Sequence, residues 1–139
     1  ADMIIGAVLV PGASAPKVLK KVQLSNLKKG SVLVDVAIDQ GGCFESSYAT
    51  THDNPTYFVN DILHYCVANM PGAVPRTSTI ALSNATMPYI ITLANKGWRK
   101  SCLDDIHLCN GLNVHEGKIL NSSIADALSL EYVSARQVL

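Results

Sequence analysis

The run from Ser31 to Ile38, SVLVDVAI, is apolar apart from Ser31 and Asp35 and rich in β-branched Val32, Val34, Val36 and Ile38, and it drives straight into Asp39, Gln40, Gly41 and Gly42. A run of this kind fits a strand buried in a sheet. The two glycines mark a tight turn that exposes backbone. In open parallel sheets, ligands settle just beyond the carboxyl ends of the strands. A carboxylate placed there is a candidate for acid–base work on something bound.

The segments on either side extend this picture. Met3–Val10 is a second near-continuous apolar run, broken by Pro11-Gly12. Residues Lys17–Leu27 carry Val18, Leu19, Val22, Leu24 and Leu27 at helical spacing, and Lys28, Lys29 and Gly30 close the stretch. The order strand, loop, helix, strand is a βαβ unit. A polar loop, Ser46–Pro55, leads to two short strand candidates, Thr56–Val59 and Ile62–Val67, with Asn60-Asp61 between them. If the sheet is parallel, the ends at Val10, Ile38 and Val67 lie on one edge and line one crevice. From Ala73 the pattern becomes helical, with a long helix running to Asn95, a kink expected at Pro88 and Gly97 as its cap. Shorter pieces follow: Arg99–Leu103, Ile106–Leu112, a turn at His115-Glu116-Gly117 and a helix over Ser122–Leu128. The change of pattern near Ala73–Thr77 is the candidate domain boundary.

Charged residues make up 16% of the chain, against about 25% in an average soluble domain. A chain of 139 residues has a high surface-to-volume ratio and calls for more charge, not less. The shortfall points to surface hidden by further chain or by partner subunits. Formal net charge is +0 and there is no basic tract, so nucleic acid is not an expected partner. The uncharged stretch Thr77–Asn95 is too rich in Ser, Thr and Asn for a membrane span and reads as a buried helix. The start, ADMIIGAVLV, lacks an initiator Met and a basic leader. It reads as the middle of a longer protein. Cys43, Cys66, Cys102 and Cys109 show no metal-ligand spacing, which fits reduced thiols in a cytoplasmic protein.

Asp39 is the leading candidate for chemistry. The competing reading is a turn carboxylate accepting the amides of Gln40, Gly41 or Gly42. Asp35, surrounded by apolar neighbours short of the strand end, reads as a structural carboxylate. Asn69 and Met70 offer a donor–acceptor pair and a soft apolar face for a flat amide ring; otherwise they are a turn and cap before a helix. His52 reads as a turn hydrogen-bonder, and Ser122-Ser123 as a helix N-cap. The phosphate-cradling pattern GxGxxG is absent.

Longer motifs connect these pieces. VDVAIDQGGC (34–43), TTHDNPTY (50–57) and HYCVANMPGAVPRTST (64–79) closely resemble the alanine dehydrogenase family, and GAVLVPGASAPK (6–17) and ALSNATMPYIITLANKGW (81–98) fit it too. The resemblance covers essentially the whole chain and matches the C-terminal portion of that family's subunit. The related proton-translocating transhydrogenases end the corresponding strand in Glu-Gln-Gly-Gly rather than Asp39-Gln40-Gly41-Gly42. A transhydrogenase nucleotide domain and a non-catalytic nucleotide-binding module are the alternatives.

The resemblance implies an α/β fold: the second half of a Rossmann-like parallel-sheet NAD-binding domain over residues 1–76, then a mostly helical segment over 77–139 belonging to the substrate domain. It implies NAD as cofactor, L-alanine, pyruvate and ammonium as substrates, and a homo-oligomer, a hexamer in that family. By motif, Asp39 matches the family's catalytic Asp. Val36, Ala37 and Ile38 match the same cofactor-contacting strand end, and Val8, Leu9, Val67, Ala68, Asn69 and Met70 match further NAD contacts. Tyr48-Ala49 stands where members usually carry Arg-Pro, so the role of that Arg is not carried over. The family's catalytic His, its substrate-binding Lys and Arg and its Gly-rich loop would lie upstream of Ala1. These 139 residues alone are therefore expected to be inactive.

Overall fold

A computed structural model describes all residues, Ala1–Leu139. The chain forms two compact units, Ala1–Ala73 and Val74–Leu139.

The first unit is built on a four-stranded sheet. Its strands are β1 (Met3–Gly6), β2 (Val32–Asp35), β3 (Thr56–Val59) and β4 (Ile62–Tyr65), in the order β1-β2-β4-β3. β1, β2 and β4 run parallel, while β3 lies antiparallel on the outer side of β4. Asn60 and Asp61 join β3 to β4 with φ of 51° and 62°. This is the doubly left-handed turn whose twist suits a two-residue hairpin, and Asn and Asp tolerate it. Because the three parallel strands share a direction, their carboxyl ends do fall on one edge.

β1 stops at Gly6 rather than Val10 and β4 at Tyr65 rather than Val67, and two further elements differ in kind from the sequence expectation. The stretch Lys17–Leu27 contains a 3₁₀ helix over Lys21–Asn26 rather than an α-helix. Here the chain before the helix is tied down in extended form against the loop after β2: Val18 N–H donates to Cys43 O at 2.8 Å and Glu45 N–H to Leu19 O at 2.8 Å. Tertiary pairing thus overrides local periodicity. The strand expected to reach Ile38 ends at Asp35, and residues Val36–Gln40 coil into a 3₁₀ turn closed by Gly41 at φ 88°.

Asp35 explains that early stop. Its side chain is fully buried. Its Oδ2 accepts from Cys43 N–H (2.9 Å), Phe44 N–H (3.2 Å) and Ser47 Oγ (2.6 Å), and its Oδ1 from Cys43 Sγ (3.4 Å). A buried carboxylate is tolerated when its lone pairs are used in this way. Gly42, at φ 75°, makes the approach possible, since a Cβ there would stand 2.9 Å from Asp35 Oδ2. The core of the unit gathers around Phe44, Leu24, Leu33 and Ile62, all at or below 1% exposure. Beside it, Tyr48, Tyr57 and His64 stack in a row, with ring centroids 3.8 and 4.9 Å apart. His64 Nδ1 meets the Ile62 carbonyl at 3.0 Å, so that nitrogen carries the proton and Nε2 accepts from Ser46 Oγ at 2.7 Å. Burial holds the His64 pKa below the ordinary imidazole value.

The second unit opens with α1 (Pro75–Lys96) and continues with α2 (Trp98–Asp104), α3 (Ile106–Asn110), a small hairpin of β5 (Val114–His115) and β6 (Lys118–Ile119), and α4 (Ser122–Leu128). Helix α1 runs on through Pro88 as one element. It was expected to be buried, yet none of its residues is. Apolar side chains such as Ile80, Leu82, Tyr89 and Ile90 point around the helix rather than along one stripe, and all are at least half exposed. No single facing element could cover them. The cap of α4 is Asn121, one residue before the expected serines; its Oδ1 accepts from Ser123 and Ile124 N–H. Each unit holds shielded thiols: Cys43 and Cys66 in the first, Cys102 in the second, with Cys109 only partly covered. Burial, and then the hydrogen bond to Asp35, push the Cys43 thiol pKa up; burial does the same for Cys102. No helix is long and apolar enough to cross a membrane.

Candidate functional site

The candidate site lies at the carboxyl edge of the parallel strands. The backbone after β1 and the 3₁₀ turn after β2 enclose a hollow of about 270 Å³. Ala7, Val8 and Leu9 line it from the β1 side, and Val36, Ala37, Asp39 and Gln40 from the β2 side. Leu9 and Val36 keep 63% and 47% of their surface exposed. Large apolar side chains left open at a concave wall fit a flat, partly apolar ligand.

The 3₁₀ turn aims its residues in two directions. Ala37 and Ile38 turn inward and are buried, while Val36 and Asp39 turn outward. Lys17 secures the end of the turn, its Nζ donating to the carbonyls of Gly41 and Gly42. Ala15 N–H adds a bond to Gln40 O at 2.9 Å. Asp39 therefore projects from a backbone held at both sides.

Asp39 does not take the turn amides. Its oxygens accept from the backbone N–H of Asn69, at 3.1 and 3.4 Å. The Gly41 and Gly42 N–H groups go instead to the carbonyls of Ile38 and Ala37, and Asp35, four residues earlier, takes the next two amides, those of Cys43 and Phe44. Asn69 has a left-handed backbone (φ 54°) and is followed by a 3₁₀ turn over Met70–Ala73. The third segment is continuous with β4: Thr50 N–H donates to Cys66 O at 2.9 Å and Ala68 N–H to Thr50 O at 3.0 Å. Val67 is fully buried, so it shapes this edge from behind rather than facing the hollow. The structure thus joins two of the three expected strand ends in one hollow, and ties the third to it through the Asp39–Asn69 bond.

Sequence reasoning passed over Ala7 and Gln40. Gln40 lines the hollow, and its Oε1 is buried without a hydrogen-bond partner. An unmet buried acceptor costs about 1–3 kcal/mol, and a ligand N–H would satisfy it. The signal was present in the Asp-Gln-Gly-Gly motif itself, where Gln40 sits beside the carboxylate. An apolar wall, a carboxylate and an unmet amide acceptor suit a cationic aromatic ring bearing a carboxamide. The residues present fit a nicotinamide cofactor.

Comparison with known proteins shows the family. The chain is 62% identical over 138 residues to alanine dehydrogenase of Halomonas elongata, covering 99% of this chain and 37% of that protein. It is 58% identical over 139 residues to alanine dehydrogenase of Mycolicibacterium smegmatis, covering 100% and 38%. Among solved structures, an L-alanine dehydrogenase superposes with a TM-score of 0.74 at 46% identity, covering 93% of this chain and 36% of that one. A transhydrogenase from Sinorhizobium meliloti shares the fold, with a TM-score of 0.59 at 20% identity over 86% of this chain. The chain thus spans somewhat more than a third of the length of the relatives it matches. The family described as "Alanine dehydrogenase/PNT, C-terminal domain" matches residues 1–122, and the chain belongs to that family.

Proposed function

We propose that this chain is the cofactor-binding C-terminal portion of an NAD-dependent L-alanine dehydrogenase, which converts L-alanine, NAD and water reversibly into pyruvate, ammonium and NADH. Residues 1–76 form the second half of the NAD-binding domain, and residues 77–139 the connecting helix and the end of the substrate domain. The complete subunit works as a cytoplasmic homo-oligomer, a hexamer by its resemblance to the family. The observation that carries the reading is Asp39, standing at the wall of an apolar hollow with its carboxylate pinned by Asn69 N–H.

Bound NAD supplies the hydride acceptor. Val8, Leu9, Val36 and Ala37 give its ring an apolar seat, with Ile38 and Val67 shaping the backbone behind it. Ala68, Asn69 and Met70 present polar backbone and a soft side chain at the adjoining edge. Asp39 places negative charge where the oxidised ring and the iminium formed from alanine are both positive. It also accepts or returns a proton as water adds to that iminium. The protein's share is orientation, charge and proton transfer.

The test uses the full-length subunit, assayed with pyruvate, ammonium and NADH. Asp39→Asn removes the charge with little change in shape and is expected to lower turnover about a hundredfold or more. Normal turnover in that variant would remove Asp39 from the chemistry. A wild-type subunit that binds NADH without consuming it would mark a non-catalytic binding module instead.

A further inference from the structure

The hydrogen bond on Asp39 leads to a loop histidine. Asn69, which donates that bond, is a non-glycine residue at φ 54°. Asn tolerates left-handed backbone better than most residues, and here it is kept there by the bonds on its two peptide planes. Two peptide planes meet at the Asn69 Cα. The plane before it carries the N–H that meets Asp39. The plane after it carries the Asn69 carbonyl, which accepts from Gly72 N–H at 2.9 Å and meets His52 Nε2 at 3.0 Å. A carbonyl only accepts, so Nε2 carries the proton.

His52 is well placed to hold that carbonyl. Two residues earlier, Thr50 is bonded on both sides of its peptide to the extension of β4, through Cys66 O and Ala68 N–H, and its Oγ1 donates to Pro55 O at 3.0 Å. The loop base is therefore fixed relative to Asn69. A Cβ at Gly72 would crowd Asn69 Nδ2 at 3.2 Å and make an ordinary contact with His52 Nε2 at 3.4 Å.

We propose that His52 is a positioning residue for Asp39: by gripping the Asn69 carbonyl it holds Asn69 in its left-handed conformation and so keeps the Asn69 N–H aimed at the Asp39 carboxylate. The inference rests on the reading that Asp39 works on a bound coenzyme and substrate. His52 itself touches neither. Without it, the Asn69 carbonyl keeps only the Gly72 N–H as a partner, and the Asp39 carboxylate loses part of its fixed bearing. Small misplacements of a reacting group cost rate rather than binding.

The experiment compares His52→Ala and His52→Gln in the full-length subunit, with two readouts. The first is steady-state oxidation of L-alanine. His52→Ala is expected to lower kcat about tenfold while KM for L-alanine stays within about twofold. His52→Gln, whose amide N–H can donate to the same carbonyl, is expected to recover most of that loss. The second readout is hydrogen exchange of the segment spanning Cys66–Gly72, without coenzyme or substrate. His52→Ala should raise exchange at the Asn69 amide about fivefold or more, and His52→Gln should not. Unchanged exchange in His52→Ala overturns the proposal, as does faster exchange with unchanged kcat, or equal losses in the two variants. If the wild-type subunit does not oxidise L-alanine at all, the proposed function falls, and the exchange readout alone still decides whether His52 grips Asn69.

Discussion

The two units solve the same burial problem in opposite ways. In residues 1–73 the sheet, the loops and a buried carboxylate close on themselves: Phe44, Leu33 and Asp35 are at or below 1% exposure. In residues 74–139 the longest element, α1, buries nothing. Apolar side chains lie all around it, and charge is scarce on the chain as a whole. The first unit carries its own core. The second holds a helix whose apolar surface stays open in this chain. The difference teaches that apolar content alone does not say where a core will form; what matters is whether loops return to seal it.

Substitutions can break or sharpen this contrast. The largest effect is expected from Phe44→Ala, which should lower unfolding free energy by about 3–5 kcal/mol in denaturant titrations. Asp35→Ala should follow at about 3 kcal/mol, because it strands the N–H groups of Cys43 and Phe44 and the Ser47 hydroxyl. Asp39→Ala, at an exposed position, should cost under about 0.5 kcal/mol, so the two carboxylates divide cleanly between stability and activity. In the second unit, Asn121→Ala should cost about 1 kcal/mol through loss of the α4 cap. Ile90→Ala on α1 should cost under about 0.5 kcal/mol in this chain. A loss of several kcal/mol there would show α1 to be buried after all.

A pH scan offers a separate check on the first unit. Burial lowers the His64 pKa, so between its folded and unfolded values the unfolded chain binds more protons. Stability is then fully present above the ordinary histidine value of about 6.5 and declines as pH falls below it. His64→Gln should flatten that decline in melting curves recorded across the acid range.

Much of the frame was legible in the sequence. Strands β3 and β4 on either side of Asn60-Asp61, the shared edge of the parallel strands and helix α4 all follow from local pattern and turn residues, whereas the antiparallel pairing of β3 with β4 came from the structure. The break after Asp35 was not legible, because Val36, Ala37 and Ile38 continue the apolar run and periodicity cannot see a carboxylate gathering donors eight to twelve residues on. The 3₁₀ turn at Lys21–Asn26 was hidden for a similar reason, as strand-like pairing with Cys43–Glu45 claimed the residues before it. Within the candidate site, Asp39 and its neighbours stood out by motif. Ala7 has no chemistry to attract notice, and the unmet oxygen of Gln40 depends on three-dimensional surroundings. The exposure of α1 was missed because an uncharged helix reads as an interior one, whichever chain supplies the interior.

The distribution of thiols gives the molecule a set of built-in clocks. Cys109, only partly covered, is the sulfur a maleimide or iodoacetamide dye would reach first. Cys43 and Cys66 stay silent until the sheet and its loops part, and Cys102 until its own helices do. Followed by mass, the labelling rates of the separate sulfurs would time the opening of each half independently, with no engineered probe.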